Sequence, residues 1–326
     1  MKTAVRDRYG PPEVVRVEEV DRPAVSGDQV LVRVHAASVN RADLDGLYPR
    51  WQFTRLFLGL RKPRTRRLGL DVAGIAESVG ADATRFRPGD RVFGDLFLFG
   101  QGAFAEYVSV PERGLAPMPE GITFEEAATI PHSAVLALQA LRLRDGRTIR
   151  SGSRVLVVGA SGNVGPFAVQ IAKSMGAHVT GVCSRGKEEF VRSLGADDVL
   201  DYASVDPTLP VQPYDWIVDV DAHHSLLRWR RALSPGGVYV ALGGSASWLF
   251  PSLIQTPVLS AATGKRMGLL LWWKPFKAED VETINRLIVT RKVKPVIDRR
   301  FPLSQIVDAL RHVDEGRAKG KVVVTM

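Results

Sequence analysis

Cysteine is nearly missing from this chain of 326 residues. Its single example, Cys183, excludes an internal disulfide framework and a zinc lobe built from cysteines. Long apolar runs are missing too. Stretches such as residues 268–273 fall far short of the ~18 residues that a bilayer-spanning helix needs. The opening residues, Met1-Lys2-Thr3-Ala4-Val5-Arg6-Asp7-Arg8, carry no apolar core followed by a small-residue cleavage site. No secretory signal is therefore expected, and a cytoplasmic protein is the default. Acidic residues vanish from one segment: none lies between Asp45 and Asp71, where Arg50, Arg55, Arg61, Lys62, Arg64, Arg66 and Arg67 all fall.

What is present is a globular balance, 45% hydrophobic and 24% charged, over a length that suggests two domains at ~150 residues each. The net charge of +9 first points to a polyanion. Seven of the nine excess charges, however, sit in segment 50–67, and the rest of the chain is nearly neutral. No zinc finger or RNP-type aromatic motif is legible, so no nucleic-acid partner is expected. Within the basic segment, Trp51-Gln52-Phe53-Thr54-Arg55-Leu56-Phe57-Leu58-Gly59-Leu60-Arg61-Lys62 interleaves aromatic and basic residues. Three uses fit it: a solvated basic face over an apolar packing stripe, a lid over a hydrophobic substrate, or a membrane-surface contact.

The segment Asp28-Gln29-Val30-Leu31-Val32-Arg33-Val34-His35-Ala36 alternates apolar and polar residues with period two, among Gly-Pro-Pro, Arg-Pro and Pro-Gly-Asp punctuation. This predicts a β-rich first third. A capping box at Thr123-Phe124-Glu125-Glu126 opens a helix, and apolar residues at helical spacing continue over 131–143. From Arg154 onward, short β-branched runs at 155–158, 178–183, 198–200, 216–220 and 238–242 alternate with helical patterns. That is the rhythm of right-handed βαβ units on a parallel sheet. Residues 268–273 predict a sixth strand. The end of the chain reads as an amphipathic helix carrying Val281, Ile284, Leu287 and Ile288, a strand at 296–298, a helix capped by Ser304 and a strand at 321–325.

Val155-Leu156-Val157-Val158 runs into Gly159-Ala160-Ser161-Gly162-Asn163-Val164-Gly165 and then a helical stretch from Pro166. Strand, glycine turn, helix and strand follow in the order that dinucleotide binding requires. The glycines permit a tight turn and close approach to a pyrophosphate, whose charge the amides at the helix start would meet. Pro166 suits the first turn of that helix, where its missing N–H is least needed. Gly159, Ser161, Gly162, Asn163, Val164 and Gly165 are thus candidate cofactor contacts, with a purely structural turn as the competing reading. The fold class that follows is α/β, a Rossmann doubly wound parallel sheet plus a β-rich domain. At the end of the second strand an NAD site places an acidic residue for the ribose hydroxyls, about twenty residues beyond the glycines. This chain has Cys183-Ser184-Arg185-Gly186-Lys187 instead. Ser184, Arg185 and Lys187 could bind a 2′-phosphate through charge-assisted hydrogen bonds, favouring NADPH over NADH; the alternative is a pair of solvated surface charges.

With these features in place, the chain resembles the medium-chain dehydrogenase/reductase superfamily, and within it the zinc-free quinone oxidoreductase-like group. The resemblance rests on Arg8-Tyr9-Gly10-Pro11-Pro12-Glu13-Val14, Ala37-Ser38-Val39-Asn40-Arg41-Ala42-Asp43, Gly69-Leu70-Asp71-Val72-Ala73-Gly74 and Phe86-Arg87-Pro88-Gly89-Asp90-Arg91-Val92. Gly102-Ala103-Phe104-Ala105-Glu106-Tyr107, the glycine turn and Leu194-Gly195-Ala196-Asp197 extend it over essentially the whole chain. It implies a GroES-like catalytic domain over 1–121 that returns over 275–326, a Rossmann domain over 122–274, and a cleft between them for the nicotinamide. It also implies that Val220 and Leu242-Gly243-Gly244 face the nicotinamide and that Tyr202 lies beside the adenosine phosphate. A homodimer is expected, because residues 268–273 sit where relatives pair edge strands, and an unpaired apolar edge invites aggregation.

Zinc-dependent members place Cys where this chain has Asn40 and a His-Glu pair where it has Leu70-Asp71, and leucine cannot ligate a metal. His223 and His224 follow the fourth strand of the Rossmann pattern and could donate into the cleft or lie on the surface. The resemblance carries Asn40 and Asp43 to cleft-lining positions, against an alternative as turn or helix-cap residues. Tyr48 is a possible phenolic donor. Many relatives have Gly-Leu-Thr where this chain has Pro131-His132-Ser133-Ala134-Val135-Leu136, so Leu136 replaces a threonine hydroxyl; either Ser133 or His132 substitutes for it or the contact is absent. Without a Lewis acid, hydride delivery to a quinone or an α,β-unsaturated carbonyl asks less of the protein than delivery to a ketone, because the charge is spread by conjugation. The expected function is NADPH-dependent reduction of such an acceptor, a small and hydrophobic molecule. The alternatives are a reductase or dehydrogenase of simple carbonyls or alcohols, and a non-enzymatic NADPH-binding protein with a basic membrane or RNA contact.

Overall fold

A computed structural model describes residues 1–49, 55–143, 145–270 and 274–326. The chain divides into two compact units, one of Met1–Val135, Pro275–Val289 and Pro295–Met326, the other of Leu136–Lys274 and Thr290–Lys294. The division falls inside a helix, at Val135, later than the expected limit at residue 121.

The first unit opens with an antiparallel pair, β1 (Lys2–Val5) and β2 (Arg16–Glu19). The alternating segment forms the long β3 (Gln29–Val39), which leads at once into α1 (Arg41–Leu47). After the short α2 (Arg55–Leu58) come β4 (Asp71–Val79), β5 (Arg91–Asp95), β6 (Tyr107–Pro111) and β7 (Leu115–Pro117). The capping box forms as expected at α3 (Phe124–Ala128): Thr123 Oγ1 accepts from the Glu126 amide at 3.2 Å, and the Glu126 carboxylate accepts from the Thr123 amide at 2.9 Å. Helix α4 (Pro131–Leu141) follows.

The second unit alternates strand and helix: β8 (Arg154–Val158), α5 (Gly165–Ser174), β9 (His178–Cys183), α6 (Glu188–Ser193), β10 (Asp198–Asp201) and β11 (Tyr214–Asp219). Then come α7 (Leu226–Ala232), β12 (Leu233–Ala241), α8 (Ala246–Thr263) and β13 (Arg266–Leu269). All six strands are parallel, in the order β10-β9-β8-β11-β12-β13. That order reverses between β8 and β11, the place where doubly wound sheets bind ligands at the carboxyl ends of their strands. The sixth strand exists but starts at Arg266, earlier than expected; the rest of the expected run, 271–273, lies outside the described residues.

The chain then returns to the first unit with α9 (Ala278–Val289), β14 (Ile297–Pro302), α10 (Ile306–Asp314) and β15 (Lys321–Thr325). Ser304 does not cap α10. It lies in a short 3₁₀ turn, and the residue before the helix is Gln305. Strand β3 is the hub of this sheet, antiparallel to β4, β6 and β15. One apolar core, with Val32, Val39, Leu44, Phe104, Leu310 and Val322 among its members, joins the first and last of the three stretches of the first unit. A second, around Trp229, Tyr239 and Ile217, fills the parallel-sheet unit.

Candidate active site

Strand register decides what meets at one end of the β3 sheet. Ser38 on β3 stands opposite Asp71 on β4, and Asp71 stands opposite Asp95 on β5. Val322 on β15 stands opposite Val39, which brings Lys321 to Asn40. The start of α4 adds His132 and Ser133. All seven polar residues are buried.

Lys321 organises the cluster. Its Nζ donates to Asn40 Oδ1 at 2.6 Å and to Ser133 Oγ at 3.0 Å, and lies 3.3 Å from Asp71 Oδ2. That same Asp71 oxygen accepts from Ser38 Oγ at 2.8 Å and Asn40 Nδ2 at 2.9 Å, while Oδ1 accepts from the His132 backbone amide at 2.9 Å. Burial pulls the ammonium below the usual lysine range, and the Asp71 carboxylate acts in the opposite sense. The Asn40 amide is therefore polarised from both ends, its oxygen facing an ammonium and its nitrogen a carboxylate. Ser133 Oγ adds a weaker contact to that oxygen at 3.3 Å. Such charge-assisted bonds sharpen an amide as a hydrogen-bond donor.

Asp43 does the helix-capping work that either residue could have done. Its Oδ2 accepts from the Asn40 backbone amide at 2.7 Å, and its Oδ1 has no hydrogen-bond partner. Full burial pushes this carboxyl up to about 7. His132 forms a second pair: Nδ1 is 3.0 Å from Asp95 Oδ2, and Asp95 Oδ1 accepts from the Phe97 amide at 2.8 Å. Tyr48 is not with them. Its hydroxyl donates to Asp314 on α10, which also accepts from Arg41 at 3.2 Å. Burial and then the Asp314 carboxylate hold the phenol well above its ordinary range, so the proposed phenolic donor is already spent on a structural bond.

In the parallel-sheet unit, the amides of Gly159 and Ala160 both donate to Val182 O, folding the turn against β9. Gly159 has φ +77°, and a Cβ on Gly165 would stand 2.2 Å from Gly159 O. Only glycine allows α5 to start so close to the turn. Val164 occupies the cap position and Pro166 the first turn. Ser161, Gly162 and Asn163 complete the loop between strand and helix. Val220 packs at the rim, its Cβ 3.3 Å from where a Gly159 Cβ would be, and its carbonyl 3.2 Å from where a Gly243 Cβ would be. The Leu242 amide donates to Asp219 O, and Gly244 bridges to Ala222. Asp219 was not anticipated. Tyr239 Oη donates to its Oδ2 at 2.9 Å, its Oδ1 has no hydrogen-bond partner, and burial pushes its carboxyl up to about 6. The glycine cradle fits a dinucleotide with its pyrophosphate over the turn.

Ser184 through Lys187 form a turn closed by the Lys187 amide on Ser184 O, and the Tyr202 amide donates to Cys183 O, so all four candidate adenosine-end residues are brought together. Tyr202 and Arg185 are exposed. Arg185 Nε also lies 3.4 Å from Asp201 Oδ2, a neighbouring carboxylate that the sequence reading did not weigh. Cys183 is buried, which pushes its thiol up to about 11 and makes it a poor nucleophile. His223 packs against His224, ring centroids 4.4 Å apart and tilted by 38°, and, with Ser225, Ser245 and Trp248, lines a cavity of about 290 Å³.

The basic segment is less free than its composition suggests. Arg66 bonds to Asp7 at 2.6 Å and to Glu18 at 3.1 Å, acids from far earlier in the chain. Arg55 lies over the Tyr9 ring at 5.0 Å. Residues 50–54, the start of the lid or membrane-contact reading, lie outside the described residues.

A family model for the alcohol dehydrogenase GroES-like domain matches residues 26–120, and one for zinc-binding dehydrogenase matches 194–324. The chain belongs to the medium-chain dehydrogenase/reductase superfamily, in its zinc-free quinone oxidoreductase-like group. It is 33% identical to human mitochondrial NAD(P)H oxidoreductase RTN4IP1 over all of this chain and 89% of that one. It is 32% identical to the chloroplast envelope quinone oxidoreductase homolog of Arabidopsis thaliana, over 94% of this chain and 92% of that one. Trans-enoyl reductase pgmF of Aspergillus terreus is 33% identical, over 91% and 86%. Among solved structures, the quinone oxidoreductase of Coxiella burnetii superposes with a TM-score of 0.88 at 27% identity, over 100% of this chain and 99% of that one. The chain is thus an oxidoreductase that uses a nicotinamide cofactor.

Proposed function

We propose that this oxidoreductase uses NADPH to reduce quinones or α,β-unsaturated carbonyls. The observation that carries this reading is the Lys321 ammonium, buried between Asn40, Ser133 and Asp71. By resemblance, zinc-dependent relatives place metal ligands at the positions of Asn40 and Leu70-Asp71. Here a leucine supplies no donor, and a fixed ammonium repels a second cation. The polar groups beside it are an amide and a hydroxyl, which suit a charge already spread over a conjugated acceptor. When bound, the cofactor supplies hydride. The chain's own part is to hold the acceptor oxygen near polarised donors and to keep water out.

NADPH over NADH is supported by Ser184, Arg185, Lys187 and Tyr202 around one turn with no acid at the end of β9. A homodimer is supported by the end position of β13 in the six-strand order and by Phe250, Leu253, Ile254 and Val258, all exposed on α8. The deciding experiment is NADPH oxidation by the purified protein with a cyclic enone and a benzoquinone, with the products identified. Saturated ketone and hydroquinone are expected. An allylic alcohol as the sole enone product would overturn the reading.

A further inference from the structure

The geometry points to His132, oriented by Asp95, as the proton donor of the reduction, an assignment that rests on the reductase reading above. Reduction of an enone or a quinone delivers two electrons and one proton equivalent as hydride, which leaves an enolate or a hydroquinone anion. One further proton must come from the protein or from water. Tyr48 is bonded to Asp314, and the Asp43 carboxyl has one oxygen on its own helix cap and the other fully buried. Asn40 can donate a hydrogen bond but holds no transferable proton.

His132 has the features such a donor needs. Its Nδ1 is fixed by the Asp95 carboxylate at 3.0 Å, and Asp95 is itself held by the Phe97 amide at 2.8 Å. This is the carboxylate–imidazole arrangement that orients a ring and favours its charged form. Phe97, 5.8 Å from the ring and exposed, gives the histidine an apolar neighbour at the surface of the unit. The charged groups around the ring are Asp95 from β5, Asp71 from β4, Lys321 from β15 and Asp43 from α1. Burial disfavours the imidazolium and Lys321 opposes it. Asp95 first, and then Asp71, outweigh them, so the ring retains its proton above the usual histidine range. In the step itself, the Nε2–H bond breaks and its proton bonds to the enolate α-carbon or to the hydroquinone oxygen. The N–H electron pair stays on a neutral imidazole, the reduced nicotinamide is oxidised by two electrons, and solvent re-protonates the ring.

Two readouts test this, one without cofactor. In the cofactor-free protein, an NMR titration should find His132 more basic than a free histidine, and Asp95→Asn should weaken its proton affinity by about tenfold or more. With NADPH and a cyclic enone, kcat should fall as pH rises through the histidine midpoint. His132→Gln should lower kcat by roughly 10²- to 10⁴-fold and abolish that limb, with NADPH affinity unchanged. Asp95→Asn, which keeps the ring, should move the limb to lower pH, a shift that a merely structural His–Asp contact would not produce. A His132→Gln protein that folds and retains the wild-type rate and pH profile would overturn the assignment, as would a His132 midpoint unmoved by Asp95→Asn. A wild-type protein that reduces neither enone nor quinone would instead sink the reductase reading on which the assignment rests.

Discussion

The two units build their polar sites by opposite means. In the parallel-sheet unit the candidate cofactor contacts come from neighbours in sequence: residues 159–165 make the cradle, and Ser184 through Lys187 make the adenosine-end turn. Much of the work falls to backbone amides and to the space that glycine leaves. In the β-rich unit the candidate acceptor site is assembled from side chains on four strands and two helices, and its central bond joins residues 281 positions apart. It is buried and charged, where the other is a surface turn whose Arg185 is exposed. A ligand's pyrophosphate can be met by a local motif, because any helix start offers amides. An ammonium without solvent must instead have its counter-charge delivered by the fold.

The sharpest way to break this contrast is to remove the ammonium. Lys321→Met leaves Asp71 buried with its main counter-charge gone, which should cost about 3–5 kcal/mol of stability in chemical denaturation. Adding Asp71→Asn should recover part of that loss. A loss in the single variant no larger than that of a surface substitution would mean that the charge is solvated.

Asp43 gives a pH-dependent counterpart. Its carboxyl stands at about 7 in the folded chain against an ordinary 3.8, so the folded state binds the proton more tightly. A raised value stabilises the wild type fully below pH 4, and that contribution is lost as pH rises through 7. Asp43→Asn does not titrate. Its stability relative to wild type should therefore climb from pH 4 to pH 8, by up to about 4 kcal/mol, and then level off. Parallel melting curves for the two proteins across that range would contradict the burial of Asp43.

The smallest expected effect lies at the exposed turn of the other unit. Arg185→Ala should weaken NADPH by roughly 10- to 150-fold, the worth of about 1.5–3 kcal/mol for one charge-assisted bond, and leave NADH nearly unchanged. Asp201, 3.4 Å away, sets the lower end of that range by competing for the guanidinium. Equal losses for both cofactors would remove the 2′-phosphate assignment.

These differences explain what could be read from the sequence. Strand, glycine turn and helix are local patterns, so the Rossmann unit and its cradle were legible residue by residue. The β-rich unit was legible as a class through the alternation in β3, and Asn40 and Asp43 were found through resemblance. Lys321 was not, because a lysine at the start of a strand looks like a solvated charge until Val322 is placed opposite Val39. Asp95 was hidden for the same reason. Its pairing with His132 depends on the strand register and on the start of α4. Tyr48 misled because aromatic composition says nothing about which carboxylate a hydroxyl will reach. The expected cap at Ser304 failed where a 3₁₀ turn intervened before the helix. The pairing of Arg66 is not legible in the basic run, because Asp7 and Glu18 lie so far upstream.

The most direct test of the central claim, that a buried ammonium network serves a conjugated acceptor where a Lewis acid would serve a ketone, is the ratio of kcat/KM values for a cyclic enone and its saturated ketone with NADPH. One well-placed electrostatic donor is worth ~2.7 to 4 kcal/mol of barrier, so the enone should be favoured by on the order of 100-fold or more. Equal specificity constants for the two would contradict the claim.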